Sequence, residues 1–350
     1  MKYKYIVVGA GLAGLTIAER IANVLGDEVL IIEKKSHIGG ATYDCVDDAG
    51  ILIGKYGPHT FHTNDKEVFD YILQFTQWHE YTHRALSFVD GKFVSFPICR
   101  KTIKKLYNVD LNENETANFI KQHEDDLINK FFRPFTLKQW GCQREELGQE
   151  VISRIPFRNT DDDRYFTDKY QGNPVGGYTK MFHKMISNPL IKVMLNTDYK
   201  EIIKKCDYDL LIYTGPLDYY FDYSLGKLLY RSIEFIFETY KMESYQPIAS
   251  TRYPGFEEKY TRVTEFKKMT GQISDYTTVL KEIPCFGDEP YYPYPTPKWK
   301  EFAERYRILC RNEPKTIFLG RLAEYRYYDM DDVIRRALDE FQKIREKEHA

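Results

Sequence analysis

The sequence predicts an α/β fold: a discontinuous Rossmann-like domain carrying a helical insertion domain and an antiparallel β-sheet domain. Three observations predict it. A glycine-rich strand–turn–helix–strand unit opens the chain. Apolar strands return in the middle and near the C-terminus. A charged helical stretch and a run of strands fill the intervals.

The opening unit begins with Tyr5 to Val8, a short apolar run rich in β-branched residues that reads as a buried strand. Gly9-Ala10-Gly11-Leu12-Ala13-Gly14 follows, then a predicted helix from Leu15 to Leu25 and a second strand, Val29 to Ile32, ending at Glu33. Gly9 allows the tight turn, Gly11 lets the backbone approach a pyrophosphate, and Gly14 lets helix and strand pack closely. The helix N-terminus offers free N–H groups to phosphates, and Glu33 can accept hydrogen bonds from a ribose diol. These parts occur in the order that a dinucleotide site requires. Just past the acid, Lys34 leads to a second glycine pair, Gly39-Gly40, followed by Ala41. This pair resembles the extension in two-dinucleotide-binding flavoproteins such as amine oxidases, so the predicted cofactor is FAD rather than NAD.

Leu210 to Thr214 followed by Gly215-Pro216, and Thr316 to Leu319 followed by Gly320-Arg321, read as further strands of the same sheet. A helix from about Val333 to Lys347 closes the unit. The FAD-binding domain is therefore expected over 1–78, 174–221 and 316–350. Residues 97–150 form the expected helical insertion, where 114–133 has a partly amphipathic pattern. Strands such as Ser232 to Thr239 and Thr277 to Glu282 place the expected β-sheet substrate domain over 79–96, 151–173 and 222–315. Tyr291 to Pro297 is a Pro/Tyr-rich loop, either a plain connection or a set of rings beside the expected cofactor.

Fifty Lys and Arg against 52 Asp and Glu leave a formal charge of −2, which excludes a chain-wide basic footprint for nucleic acid. No apolar run approaches the roughly 20 residues that span a bilayer, and the apolar start runs straight into the glycine turn, so neither a membrane span nor a signal peptide is expected. Six scattered cysteines without a CxxC pair fit reduced thiols in a cytoplasmic protein, with no metal centre. The 29 tyrosines and 22 phenylalanines suit a core, and also a site that stacks on flat rings and hydrogen-bonds sugars.

Several segments then resemble one family in its own order. They include Lys55-Tyr56-Gly57-Pro58-His59-Thr60-Phe61-His62-Thr63-Asn64-Asp65, Lys138-Gln139-Trp140-Gly141, Arg154-Ile155-Pro156, Tyr165-Phe166 and Tyr170-Gln171-Gly172. Further on come Tyr260-Thr261-Arg262, Gly287-Asp288-Glu289-Pro290-Tyr291-Tyr292-Pro293, Gly320-Arg321-Leu322-Ala323-Glu324-Tyr325 and Tyr327-Tyr328-Asp329-Met330. Across nearly the whole chain the sequence resembles the bacterial UDP-galactopyranose mutase family.

That resemblance implies an isomerase that interconverts the pyranose and furanose forms of a nucleotide sugar for cell-surface glycan synthesis, UDP-galactose first among them. In the family the flavin works reduced: its N5 attacks the anomeric carbon and displaces UDP, so FAD supplies the nucleophile without net redox chemistry. Arg154 and Arg262 match the two arginines that clamp the diphosphate, whose oxygens suit guanidinium forks. With His59 and His62, which match histidines facing the flavin, they form the expected catalytic set. Tyr165, Tyr292 and Tyr327 match tyrosines on the phosphates, and Trp140 lines the sugar pocket. Thr136 and Asp329 complete the expected substrate contacts. Thr60, Arg321, Tyr328, Asp329, Met330 and Val333, with His59, match flavin-contacting positions. The resemblance also implies a homodimer and a separate reductant for the flavin.

Three positions depart from the family. His83 and Arg252 stand where it has asparagines, and Phe135 stands where it often has a base-stacking tyrosine. Phe keeps the stacking face and loses the hydroxyl. Each change alters which polar groups of a substrate can be satisfied. The sequence therefore leaves open another nucleotide sugar, carrying N-acetylgalactosamine, arabinose or a deoxy sugar. An amine-oxidase-like FAD oxidoreductase is the remaining alternative.

Overall fold

The computed structural model describes residues 2–152 and 157–348. Five parallel strands form its first sheet, in the order Ile191–Met194, Val29–Ile32, Lys2–Val8, Asp207–Tyr213 and Thr316–Phe318. Three distant stretches of sequence thus build one sheet. Parallel strands need both faces covered, and all four residues of Val29–Ile32 are buried. On one face Val7 and Ile31 pack with Leu15 and Ile17 of helix Leu12–Arg20, Phe182 of helix Tyr178–Met185, and Val333 and Phe341 of helix Met330–Glu348. On the other, Ile6, Val8, Leu30 and Ile32 meet Tyr199 and Tyr213.

The first helix begins at Leu12, three residues before the expected Leu15. It gives way at Ile21–Leu25 to a wider turn that Gly26 stops at a φ of 72°. Only glycine reaches that left-handed region without strain.

The second sheet has seven strands, in the order Tyr292–Pro293, Tyr230–Tyr240, Thr277–Cys285, Arg262–Glu265, Ser250–Arg252, Ala85–Val89 and Lys92–Phe96. It departs from the expected antiparallel sheet at one ladder: Ser250–Arg252 runs parallel to Ala85–Ser87. The chain between these two strands passes through the helical insertion and through the strands Ile191–Met194 and Asp207–Tyr213 of the first sheet, and so long a crossover permits parallel neighbours where a hairpin does not. Phe61–Thr63, Tyr170–Pro174 and Trp78–Glu80 form a small third sheet.

The insertion contains helices Arg100–Tyr107, Glu113–Gln122, Glu124–Phe131 and Arg133–Trp140. Their apolar residues Ile103, Leu106, Ile120, Leu127 and Phe131 bury against Phe96 at the end of the second sheet. The amphipathic stretch expected over 114–133 is broken at His123, whose ring stacks on Phe119 and whose Nδ1 lies 2.9 Å from the Phe119 carbonyl oxygen. Helix Pro297–Cys310, directly after the Pro/Tyr loop, was not expected. Among the described residues no helix is long and apolar enough to cross a membrane.

Candidate active site

The ends of the parallel strands open onto a cavity of about 1210 Å³. Gly9 turns the chain there at a φ of 99°, and a Cβ on it would fall 2.2 Å from the Thr214 hydroxyl. A Cβ on Gly14 would strike the Gly9 carbonyl at 2.0 Å, so Gly14 serves the close packing of helix on strand. Gly40 meets Gly11 across the cavity floor, where a Cβ on Gly40 would lie 2.9 Å from the Gly11 Cα. That separation leaves no room for a side chain at Gly40. Gly11 caps the first helix without a side-chain acceptor, leaving first-turn N–H groups for an anionic ligand. Glu33 is nearly buried and already accepts from the Ala10 N–H at 2.7 Å and the Lys35 N–H at 2.8 Å, which holds the acid at the strand end.

These residues fit an adenine dinucleotide: a cradle without side chains, a helix N-terminus and an acid in sequence. Gly9, Gly11, Ala13, Glu33, Lys34, Gly39, Gly40, Ala41, His59, Arg321, Met330 and Val333, all expected at the cofactor, line the cavity. Gly14, Thr60, Tyr328 and Asp329 are not among its lining residues. Gly14 lies behind the turn, the Thr60 hydroxyl is buried without a partner among the described residues, and the Tyr328 hydroxyl turns to Glu324.

A second cavity is walled by the helical insertion and the seven-stranded sheet. His83, Phe135, Thr136, Trp140, Tyr165, Arg252, Arg262, Tyr292 and Tyr327 line it together, although they are spread over most of the sequence. Helix Arg133–Trp140 supplies Phe135, Thr136 and Trp140, and adjacent strands supply Arg252 and Arg262. Tyr292 and Tyr327 stack at 5.7 Å, and the Arg321 guanidinium lies over both rings. Arg321 lines the first cavity, so it stands between that cavity and two rings of the second. The Pro/Tyr loop serves both: Tyr291 faces the first cavity and Tyr292 the second.

His62 is not among the lining residues of either cavity. Its ring stacks on Phe166 at 3.6 Å and its Nδ1 lies 3.0 Å from Asp168. Arg154 lies outside the described residues.

The charges here are unequal. Arg262 donates from Nε and Nη2 to the two carboxylate oxygens of Glu282, the second bond measuring 2.7 Å. Burial disfavours the Arg262 charge, but the buried Glu282 carboxylate outweighs it and raises the guanidinium pKa. Burial pushes His83 down to about 3, with Arg262 and His62 adding to the effect, so its imidazole is neutral and can both donate and accept. Burial, then Arg321, push His59 down to about 4.

The sequence did not reveal Glu282, since an acid inside an apolar strand carries no mark of its partner. Lys138, quoted only as part of a motif, has a distinct task. Its ammonium donates to the carbonyls of Tyr253, Gly255 and Tyr260, pinning the loop that joins Arg252 to Arg262. The dense carbonyl acceptors of a tight loop require such a donor.

A family model described as UDP-galactopyranose mutase matches residues 130–327, and one described as an NAD(P)-binding Rossmann-like domain matches residues 7–75. The chain is 33% identical to a Klebsiella pneumoniae protein named "Probable UDP-galactopyranose mutase", covering 96% of this chain and 94% of that one. It is 32% identical to the dTDP-fucopyranose mutase of Escherichia coli, covering 96% of this chain and 97% of the relative. The crystal structure of reduced UDP-galactopyranose mutase superposes with a TM-score of 0.73 at 15% identity, over 98% of this chain and 94% of that one, a likeness of fold.

Proposed function

The chain belongs to the UDP-galactopyranose mutase family, and from that premise we propose that it interconverts the pyranose and furanose forms of a nucleotide sugar, UDP-galactose first among them. One observation carries the reading. Arg321 lines the dinucleotide cavity and packs over Tyr292 and Tyr327, two rings that line the arginine- and tyrosine-lined cavity, so a sugar held in the second would lie beside a flavin ring held in the first.

FAD is the proposed cofactor, held by Gly9, Gly11, Ala13, Glu33, Lys34, Gly39, Gly40 and Ala41, with Met330 and Val333 toward its ring. When bound and reduced, it supplies the nucleophile for the anomeric carbon. The chain's own residues bind and orient. Arg262, Tyr165, Tyr292 and Tyr327, with Arg154, hold the diphosphate as charge collects on it when the glycosidic bond breaks. Trp140 and Thr136 bound the sugar, and Phe135 offers a face to the base. His59, neutral and lining the cofactor cavity, would face the flavin. The proposed domains are the three pieces 1–78, 174–221 and 316–350 around the helical and β-sheet insertions. A homodimer and a separate flavin reductant complete the proposal.

A second reading has specific support. The three departures, His83, Phe135 and Arg252, converge on one cavity, and the chain is as similar to a dTDP-fucopyranose mutase as to family members named for UDP-galactopyranose. A thymidine-diphosphate deoxy sugar is therefore the alternative substrate.

The test is to incubate dithionite-reduced holoenzyme with UDP-galactopyranose, dTDP-fucopyranose, UDP-N-acetylgalactosamine and UDP-arabinose and to separate the products by chromatography. A furanose product without an electron acceptor supports the proposal, and the preferred sugar selects the reading. Oxidised product, formed only as an acceptor is consumed, would show an oxidoreductase instead.

A further inference from the structure

Three side chains lie in a row across the second sheet: Arg252 opposite Arg262, and Arg262 opposite Glu282. Directly opposed residues of neighbouring strands share a face, and like charges so placed repel. Glu282 neutralises only one of the two cations, because both of its oxygens accept from Arg262. Arg252 has no ion-pair partner among the described residues.

Arg252 is also deeply buried, at 6% exposure. Phe96 covers one neighbour contact of its guanidinium and Phe135 another, each ring centroid 3.8 Å away. Aromatic faces stabilise the cation but accept no in-plane hydrogen bond. Its Nη1 has no hydrogen-bond partner among the described residues, and the side chain lines the second cavity. Burial pushes the group down to about 10, which leaves it cationic at neutral pH. A buried, unpaired donor costs on the order of 1–3 kcal/mol, so its retention points to an acceptor that arrives from outside the chain.

We propose that Arg252 is a phosphate-binding residue: it supplies to the nucleotide sugar's diphosphate the positive charge that Glu282 withdraws from Arg262. This rests on the nucleotide-sugar reading above and deepens it. The ligand recognised is a phosphoryl oxygen, approached along the guanidinium edge because its faces are taken. The residue lies where the family's asparagine would offer only a neutral amide, so this chain grips the diphosphate more by charge.

The experiment measures binding of UDP, inorganic pyrophosphate and uridine to the flavin-loaded protein by calorimetry, for the wild type and for Arg252→Gln and Arg252→Lys. Flavin absorbance per chain checks the fold of each variant. Arg252→Gln is expected to weaken UDP and pyrophosphate roughly 10- to 100-fold, the size of a charged hydrogen bond, and to leave uridine within about twofold. Arg252→Lys, which keeps the charge and loses the fork, recovers most of that loss. If Arg252→Gln fails to fold, Arg252→Lys alone is read, with weaker UDP binding and unchanged uridine binding expected. Equal loss of uridine and UDP, or UDP affinity unchanged in both variants, overturns the inference while leaving the mutase reading intact. Wild-type protein that binds neither UDP nor pyrophosphate overturns both.

Discussion

Arg262 and Glu282 face each other on neighbouring antiparallel strands, and the guanidinium of the first delivers two hydrogen bonds to the carboxylate of the second. The pair holds the arginine in place but also competes with any diphosphate for its charge. Glu282→Gln keeps the shape and removes the charge. Breaking a buried ion pair on one side is expected to cost about 2–3 kcal/mol of stability, measured by denaturant unfolding. Added UDP should then stabilise the variant more than the wild type, because the freed guanidinium gains a partner. An unchanged midpoint, or equal stabilisation by UDP, would refute this role.

Gly11 and Gly14 belong to one motif but should fail differently. Gly11 has ordinary extended backbone at a φ of −81°, and a Cβ there would meet nothing closer than the Gly40 Cα at 3.8 Å. Gly11→Ala should therefore fold, yet carry at least about tenfold less flavin, because the methyl group stands where the backbone must approach a pyrophosphate. Gly14→Ala should not yield folded protein, since its Cβ would lie 2.0 Å from a carbonyl oxygen. Flavin absorbance per chain and circular dichroism separate the two outcomes. A fully flavinated Gly11→Ala protein would count against the cradle.

His83 makes stability depend on acid. Its folded pKa, about 3, lies below the unfolded value of about 6.5, so the unfolded chain takes up the proton first. The stability this group permits is complete above about pH 6.5 and falls as the pH drops, by about 2 kcal/mol between pH 7 and pH 5. His83→Gln should flatten that part of the profile. Denaturant midpoints at the two pH values provide the measurement, and equal slopes in both proteins would dismiss the histidine as the cause.

What the sequence reveals follows how local each signal is. The glycine turn, the strand before it and Glu33 lie within one supersecondary unit, and the structure has strand, turn, helix and second strand in that order. Tyr165, Trp140, Arg262, Tyr292 and Tyr327 were legible only through resemblance, yet they line one cavity. Pairings between distant residues left no trace. Asp168 lies against His62 from 106 positions away, and Ser250–Arg252 pairs in parallel with Ala85–Ser87 across a similarly long separation. Helix Pro297–Cys310 was obscured by the prolines before it, although proline at a first helical position is a natural start.

The five-stranded sheet imposes an order of events on biosynthesis. Lys2–Val8 must find Asp207–Tyr213, and the edge strand Thr316–Phe318 comes later still. At ribosomal speeds of about 5–20 residues per second, the first strand waits roughly 10–40 s for that neighbour. In the interval an apolar strand edge stands open to other chains. The helical insertion, whose contacts are nearer in sequence, can condense first. The cofactor cradle is thus encoded early in the chain, but the sheet that carries it is complete only when Thr316–Phe318 has been made.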